Sequence, residues 1–368
     1  MHSGIKFLAL AILSSGFYSC AQEEDVSARA VEDRVIQAYV QQNKITTAPT
    51  TSGLYVTTVK EGTGVTPAIT DWVMIRFTGK TLSGDYFHTT EPKVLNDLGY
   101  NTNYFHLVPD YLYMAGAMPQ GFREALQMMK EGGKVDLLIP SYLGFGAYGA
   151  IKFGQMPILS NVYVEPNRPV KYELELVKVV TKPREYDSLM VIDYVNRPEN
   201  AGFKKIKDNI YIKEIVAGST AKADTIGSGS TAYVHYAGYF LDGYCFDTNI
   251  KTISDLFAPY APYGNPNSSS SSTSAGGDTL AVSVKASGRD VVEGFDIALR
   301  NLKKGSEAEV IFTSTLGYGA TGQSSSTAKP SIAPYTPLRF FIKIDRVSNP
   351  TSSSTTSIAR PPLLLRKN

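Results

Sequence analysis

The chain has 368 residues, 43% of them apolar and 19% charged, which suits two folded domains and excludes a disordered polymer. Its 36 basic and 34 acidic residues nearly cancel, and no stretch gathers lysine and arginine onto one face. A nucleic-acid ligand, whose phosphates dominate affinity, is set aside on that ground.

The first element is a leader. After Lys6 an apolar run over residues 7–13 leads to SSGFYSC, ending at Cys20, a length too short to span a bilayer. Residues 1–19 therefore read as a signal peptide. The small Ser19 before Cys20 resembles a bacterial lipoprotein signal, although Phe17 stands where that pattern prefers Leu. The resemblance implies acylation of Cys20 and a membrane anchor; an ordinary secretory signal with an incidental cysteine is the alternative. The acidic AQEED after it is similar to surface-export signals of Bacteroidetes lipoproteins. It implies a place in the cell envelope, at the outer membrane, with either face open. Residues 20–50 are then anchor and spacer. A helix is expected over 26–44 with an apolar stripe of Val31, Val35, Ala38 and Tyr39, docking on the first folded domain or serving dimerisation. The other cysteine, Cys245, would have no partner once Cys20 is acylated, so no intrachain disulfide is expected.

From residue 51 onward the chain repeats itself. LGFGAYG at 143–149 returns as LGYGATG at 316–322, 173 positions later. GFREAL from Gly121 and GFDIAL from Gly294 keep that spacing, as do Gly132 and Gly305. Upstream, IRFTGKTLSGDYF ending at Phe87 matches VHYAGYFLDGYCF ending at Phe246; downstream, Tyr172 stands opposite Phe340. Spacings that change between blocks mark loop insertions, which chains tolerate cheaply. The repeat predicts two tandem domains, 51–182 and 203–348, with a linker at 183–202 and a flexible tail at 349–368. Residues 147–163 and the serine-rich 265–278 are insertions.

Within each repeat the periodicity is that of strands around a helix. Leu338, Phe340, Ile342 and Ile344 alternate with Arg339, Lys343 and Asp345, and Tyr172, Leu174 and Leu176 with Glu173 and Glu175. WVMIRFTG, KVDLLIP, STAYVHYAGYF and EAEVIFT are rich in the β-branched and aromatic residues that strands favour. Phe122, Leu126 and Met129, like Phe295, Leu299 and Leu302, fall at i, i+4, i+7 of a helix, with Gly132 and Gly305 as C-terminal caps. The expected class is α+β: each domain a curved antiparallel sheet wrapped around one short helix.

The order Tyr-x-Gly, Asp-Gly-x-x-Phe-Asp, Val-Val-x-Gly-Phe, Gly-Tyr-Gly-Ala-Thr-Gly, Ile-x-Pro and a final strand resembles FK506-binding (FKBP-type) peptidyl-prolyl cis-trans isomerases. That resemblance covers both repeats and implies a pocket for proline-containing polypeptide segments. In the second repeat it implies catalytic roles for Tyr236, Phe246, Asp247, Tyr318 and Phe340, with substrate-binding walls from Val291, Val292, Phe295 and Ile332. Departures are Phe295 where the family usually has Trp, Asp290 at a common acidic contact, and the long 248–279 insertion. The first repeat has Phe145 for Tyr318, Phe77 for Tyr236, His88 for Asp247, and Met118-Pro119 for Val291-Val292. With Phe87, Phe122 and Tyr172 these form a degenerate, aromatic-lined pocket in which activity is not expected. The function implied is an isomerase assisting exported or envelope proteins, active mainly in the second domain; the alternative is a non-catalytic peptide-binding lipoprotein. No cofactor or metal is expected. His2, His88, His106 and His235 lack ligand spacing, Cys245 lacks a base and faces away from the pocket, and the glycine loops lack the lysine of a phosphate cradle.

Overall fold

The computed structural model describes residues 27–107, 110–149, 164–257, 279–324 and 331–350. The leader, Cys20, most of the two insertions and the end of the tail lie outside these residues. In chain order the elements are α1 (Ala28–Gln42), β1 (Tyr55–Lys60), β2 (Trp72–Thr81), β3 (Tyr86–Thr89), α2 (Pro92–Asp97), β4 (Asp110–Tyr113), α3 (Gln120–Met128), β5 (Lys134–Ile139) and β6 (Val170–Val180). Next come α4 (Pro183–Asn196), β7 (Lys204–Lys207), β8 (Ile210–Val216), β9 (Thr231–Tyr239), β10 (Cys245–Thr248), α5 (Lys251–Phe257), β11 (Leu280–Ser283), α6 (Glu293–Arg300), β12 (Glu307–Phe312) and β13 (Leu338–Ser348).

The helix α1 belongs to a separate unit ending at Thr46. Ser27 Oγ caps it by accepting from Ala30 N. Its buried residues are Glu32 and Ile36, while Val31 and Ala38 face solvent. The inward stripe thus runs one residue beyond the one expected, because Ile36 rather than Val31 is the side chain that buries.

Among the described residues the first sheet runs β1-β5-β6-β2-β3, with β4 also paired to β2. The second runs β7-β8-β12-β13-β9-β10, with β11 paired to β9. Apart from the added strand β7, one sheet repeats the other, and every pairing is antiparallel. Each sheet curls over its helix. From α3, Phe122, Ala125 and Leu126 enter the first core with Ile75, Phe77, Leu174 and Leu176. From α6, Phe295, Ala298 and Leu299 enter the second with Val234, Val310, Ile342 and Ile344. Acidic Glu293 and Asp296 in the first turn of α6 and Arg300 in its last suit the helix dipole, and Arg300 also pairs with Asp296 at 2.8 Å.

Three features differ from the sequence reading. The C-caps are Met129 and Asn301; Gly132 and Gly305, at φ +85° and +82°, instead shape the turns that enter β5 and β12. Each repeat carries a second short helix, α2 or α5, after its β3 or β10 strand. The linker is itself helical: Val191 and Tyr194 of α4 pack with Ile311 on the outer face of the second sheet.

Candidate functional site

The second repeat brings its chemistry together around one cross-strand line. Phe340 of β13 stands opposite Gly238 of β9, which stands opposite Asp247 of β10. A side chain at Gly238 would meet Phe246 Cζ at 2.7 Å and Phe340 Cε1 at 2.8 Å, so the missing Cβ is what lets the two rings lie on the sheet. The pairing slips between Cys245 and Asp247, and bulges of this kind re-aim side chains. Phe246 joins the main core, Asp247 stays half-buried at the rim, and Cys245 joins Ala237, Ile253 and Phe341 in a separate cluster. Burial pushes the Cys245 thiol up to about 12, which makes it inert.

Five rings meet on the inner face. Phe340 contacts Phe246 and Phe295 edge-on, with centroids 5.6 and 5.2 Å apart, and stacks on Phe312 at 5.7 Å. Tyr236 meets Phe295 edge-on at 6.0 Å. Ile332 is buried in the same cluster, and Val291, Val292 and Tyr318 line it while partly exposed. Eight of the nine residues singled out in the second repeat fall in one cluster, and the ninth, Asp247, bonds its member Tyr236. Asp290 lies outside that cluster and pairs with Lys285.

Electrostatics divide the two phenols. Burial holds Tyr236 far above the ordinary phenol range, reinforced by the charge of Asp247 and by a hydrogen bond to it. Tyr318 is likewise raised by burial and then by Asp247. Both remain protonated donors at any physiological pH, one directed at Asp247. The loop that carries Tyr318 is tightly wound: Gly317 N and Gly319 N both donate to Ser314 O at 2.8 Å, and Gly319 and Gly322 have φ of +60° and +64°. Gly146 and Gly149 show the same left-handed values, +58° and +72°, which explains why the glycines of the motif are written twice.

The first repeat keeps the frame and changes the side chains. Tyr172 stands opposite Gly79, and Gly79 opposite His88, reproducing the line of the second repeat. Phe77, Phe87, His88, Phe122 and Tyr172 are at most 2% exposed and Phe145 8%. The Tyr172 ring lies 4.6 Å from Phe122, 5.5 Å from Phe87 and 5.9 Å from Phe77. Its hydroxyl is buried without a hydrogen-bond partner among the described residues. Where the second repeat has Phe340, the first has the larger Tyr172. Burial also lowers His88 to about 4, so it is neutral where the second repeat places a carboxylate.

Comparison with known proteins agrees with this geometry. The family model for FKBP-type peptidyl-prolyl cis-trans isomerases matches residues 64–177 and 267–345, together just over half of the chain. The chain belongs to the FKBP-type peptidyl-prolyl cis-trans isomerase family. Among curated relatives, the FKBP-type 22 kDa peptidyl-prolyl cis-trans isomerase of Escherichia coli K12 is 28% identical over 131 residues, covering 36% of this chain and 52% of that protein. FkpA of the same strain is 26% identical over 133 residues, covering 36% and 40%. The chain thus spans about half the length, or less, of these FKBP-type relatives. Solved structures similar to it include the three FKBP domains of wheat FKBP73, at 18% identity and a TM-score of 0.29, covering 82% of this chain and 97% of that one. Another is E. coli FkpA, at 22% identity and a TM-score of 0.31, covering 41% and 60%.

Sequence reasoning missed three residues that contact neighbours of this cluster: Asp187 at Ser314, Trp72 at Tyr335 and His106 at Phe240. None belongs to the repeat motifs, and each reaches the second repeat from outside it.

Proposed function

We propose that the second repeat catalyses rotation about X–Pro bonds, with Tyr236, Phe246, Phe295 and Phe340 enclosing the proline ring and Val291, Val292 and Ile332 flanking it. The observation that carries this reading is the convergence of four rings and a protonated phenol on one face of the second sheet. Planar amide resonance sets a barrier of ~18–20 kcal/mol. The planar amide is more polar than its twisted form, so a dry aromatic wall favours twisting relative to water. A millionfold gain needs ~8 kcal/mol, and one neutral hydrogen bond supplies only ~0.5–1.5 kcal/mol. Exclusion of water by the rings therefore carries most of the effect. The phenol of Tyr318 donates to a substrate carbonyl, while Asp247 engages Tyr236 and sets the polarity of the mouth.

The first repeat, with Phe145, Phe77 and His88 in place of the two phenols and the carboxylate, takes no part in turnover. Combining Tyr318→Phe with Asp247→Ala should lower kcat/KM of the full chain on a proline test peptide by about tenfold to a hundredfold, roughly one hydrogen bond plus a rim charge. Phe145→Leu should leave it unchanged. A wild-type chain that does not accelerate isomerisation at all would remove the reading.

The setting we propose is the cell envelope, with Cys20 acylated and the chain held at the outer membrane, where exported polypeptides are its clients. Acyl chains contribute ~0.8 kcal/mol per buried methylene, so a multiply acylated cysteine anchors firmly. Cys20→Ser should move the chain from the membrane fraction of the expressing cell to the soluble one; an unaltered distribution would rule the anchor out.

A further inference from the structure

The loop that carries Tyr318 is held at its start from outside the second repeat, and in its middle by Tyr335, whose ring meets the first repeat. At its start, Ser314 N and Oγ donate to Asp187 Oδ2 at 2.8 and 2.6 Å. Asp187 belongs to the linker helix α4 and is 1% exposed; its Oδ1 is buried without a partner among the described residues. In its middle, Gly319 O accepts from Tyr335 N at 2.8 Å. Tyr335 has φ +55°, a left-handed conformation that costs a bulky non-glycine residue strain, and such strain persists only where surroundings enforce it. What meets its ring is Trp72, the single tryptophan of the chain, edge-on at 5.4 Å. Trp72 lies on β2 of the first repeat and packs on Tyr111 and Tyr113 of β4 at 5.0 and 5.3 Å. The first repeat also reaches the opposite rim. His106 stacks on Phe240 at 4.1 Å and bonds Asp242 at 2.8 Å, and Phe240 in turn contacts the pocket ring Phe246 at 5.0 Å.

We infer that the first repeat and the linker helix are a built-in brace for the second pocket: Trp72 and Asp187 are positioning residues that hold the Tyr318 loop, and His106 steadies the wall behind Phe246. Several features that make poor sense for stability make sense for this role. A buried carboxylate with one oxygen unsatisfied is costly, and a tyrosine in the left-handed region is costly again. Both lie one step from the Tyr318 loop. The brace also gives the first repeat a task that does not require it to bind substrate. Trp72 on its sheet and His106 in the loop before β4, not its aromatic core, carry the contact.

This inference rests on the reading that turnover belongs to the second repeat, and the experiment separates the two. Full-length wild type, Trp72→Ala, Trp72→Phe, Asp187→Ala and the Trp72→Ala/Asp187→Ala pair are compared by peptide isomerisation and by hydrogen exchange of the amides in 317–322. Misplacing a reacting group by about 1 Å costs on the order of a hundredfold, so a loosened loop should cost about tenfold in kcat/KM. Each alanine variant should show that loss together with faster exchange, Trp72→Phe should recover most of both, and the pair should lose less than the product of the singles. Should Trp72→Ala fail to fold, Tyr335→Gly removes the same ring contact, keeps the bond to Gly319 O and suits the positive φ; it should show the same loss. Folded variants that retain wild-type turnover and wild-type exchange overturn the brace. A wild-type chain without isomerisation sinks the catalytic reading instead, and the exchange rates alone then decide whether the loop is braced.

Discussion

Phe340→Ala is expected to cost the second domain about 3–5 kcal/mol and to remove nearly all turnover from whatever remains folded. The ring is 5% exposed and touches three others, Phe246, Phe295 and Phe312, so its loss opens a cavity bounded by aromatic faces that cannot move inward without leaving the sheet. Gly238 directly opposite offers no side chain to fill the gap. Urea unfolding read by hydrogen exchange in β12 and β13 measures the change; a loss under about 1 kcal/mol would mean that the rings do not form a single cluster. Phe340→Tyr is the informative companion. It installs the phenol that the first repeat carries at Tyr172, whose hydroxyl is buried without a partner among the described residues. Its cost should be about 1–3 kcal/mol, the desolvation of one hydroxyl, with the hollow narrowed rather than emptied.

Raising the pH from about 4 to 7 is expected to weaken the fold by about 2 kcal/mol through Asp187 alone. Burial pushes this carboxyl up to about 6, and the two hydrogen bonds from Ser314 offset only part of that. Below the ordinary aspartate value of 3.8 both folded and unfolded chains hold the proton, and the contribution is fully present. As pH rises the unfolded chain ionises first, so stability falls until the folded carboxyl has also ionised near 6, and it is flat beyond. The phenol of Tyr111 faces the same group and feels its charge, as it feels Tyr186 and Tyr335, but burial keeps that phenol neutral throughout. Asp187→Asn should erase this slope, so that it is more stable than wild type at pH 8 and equal to it at pH 4. Matched denaturation curves at the two values check it, and an identical pH profile in the two proteins would refute the assignment. A carboxylate retained at that cost beside the Tyr318 loop fits a positioning role better than a stabilising one.

The frame was legible because it is written in short-range patterns. The two glycine loops, the alternating strands and the Phe122 and Phe295 helices each depend on neighbours within a few positions, and duplication let one copy check the other. The grouping of Tyr236, Phe246, Phe295 and Phe340 came from the family resemblance; alternation alone does not join two strands' residues to Phe295, which lies on α6. The chemistry of the first repeat was only half visible: the replacement of Asp247 by His88 was plain, but the burial of the Tyr172 hydroxyl without a partner among the described residues was not. What the sequence did not disclose are contacts without periodicity. Asp187 sits in a helix with no marked apolar face, and Trp72 is one of two aromatics in β2, at its first position. Their partners, Ser314 and Tyr335, lie far along the chain, and no spacing rule links them.

The strand order has a consequence for how the molecule is made. In each sheet the last strand of the repeat, β6 or β13, lies between two others, inserted beside β2 and β5 or beside β9 and β12. Neither sheet can close until its final segment has left the ribosome, and these pairings between distant stretches are intrinsically slow to form. The first sheet is complete once Val180 emerges, whereas the second waits for Leu338–Ser348. At about 5–20 residues per second the interval is on the order of ten seconds. Throughout it, the aromatic surface around Trp72 stands uncovered, and nascent chains are most vulnerable to one another at that stage.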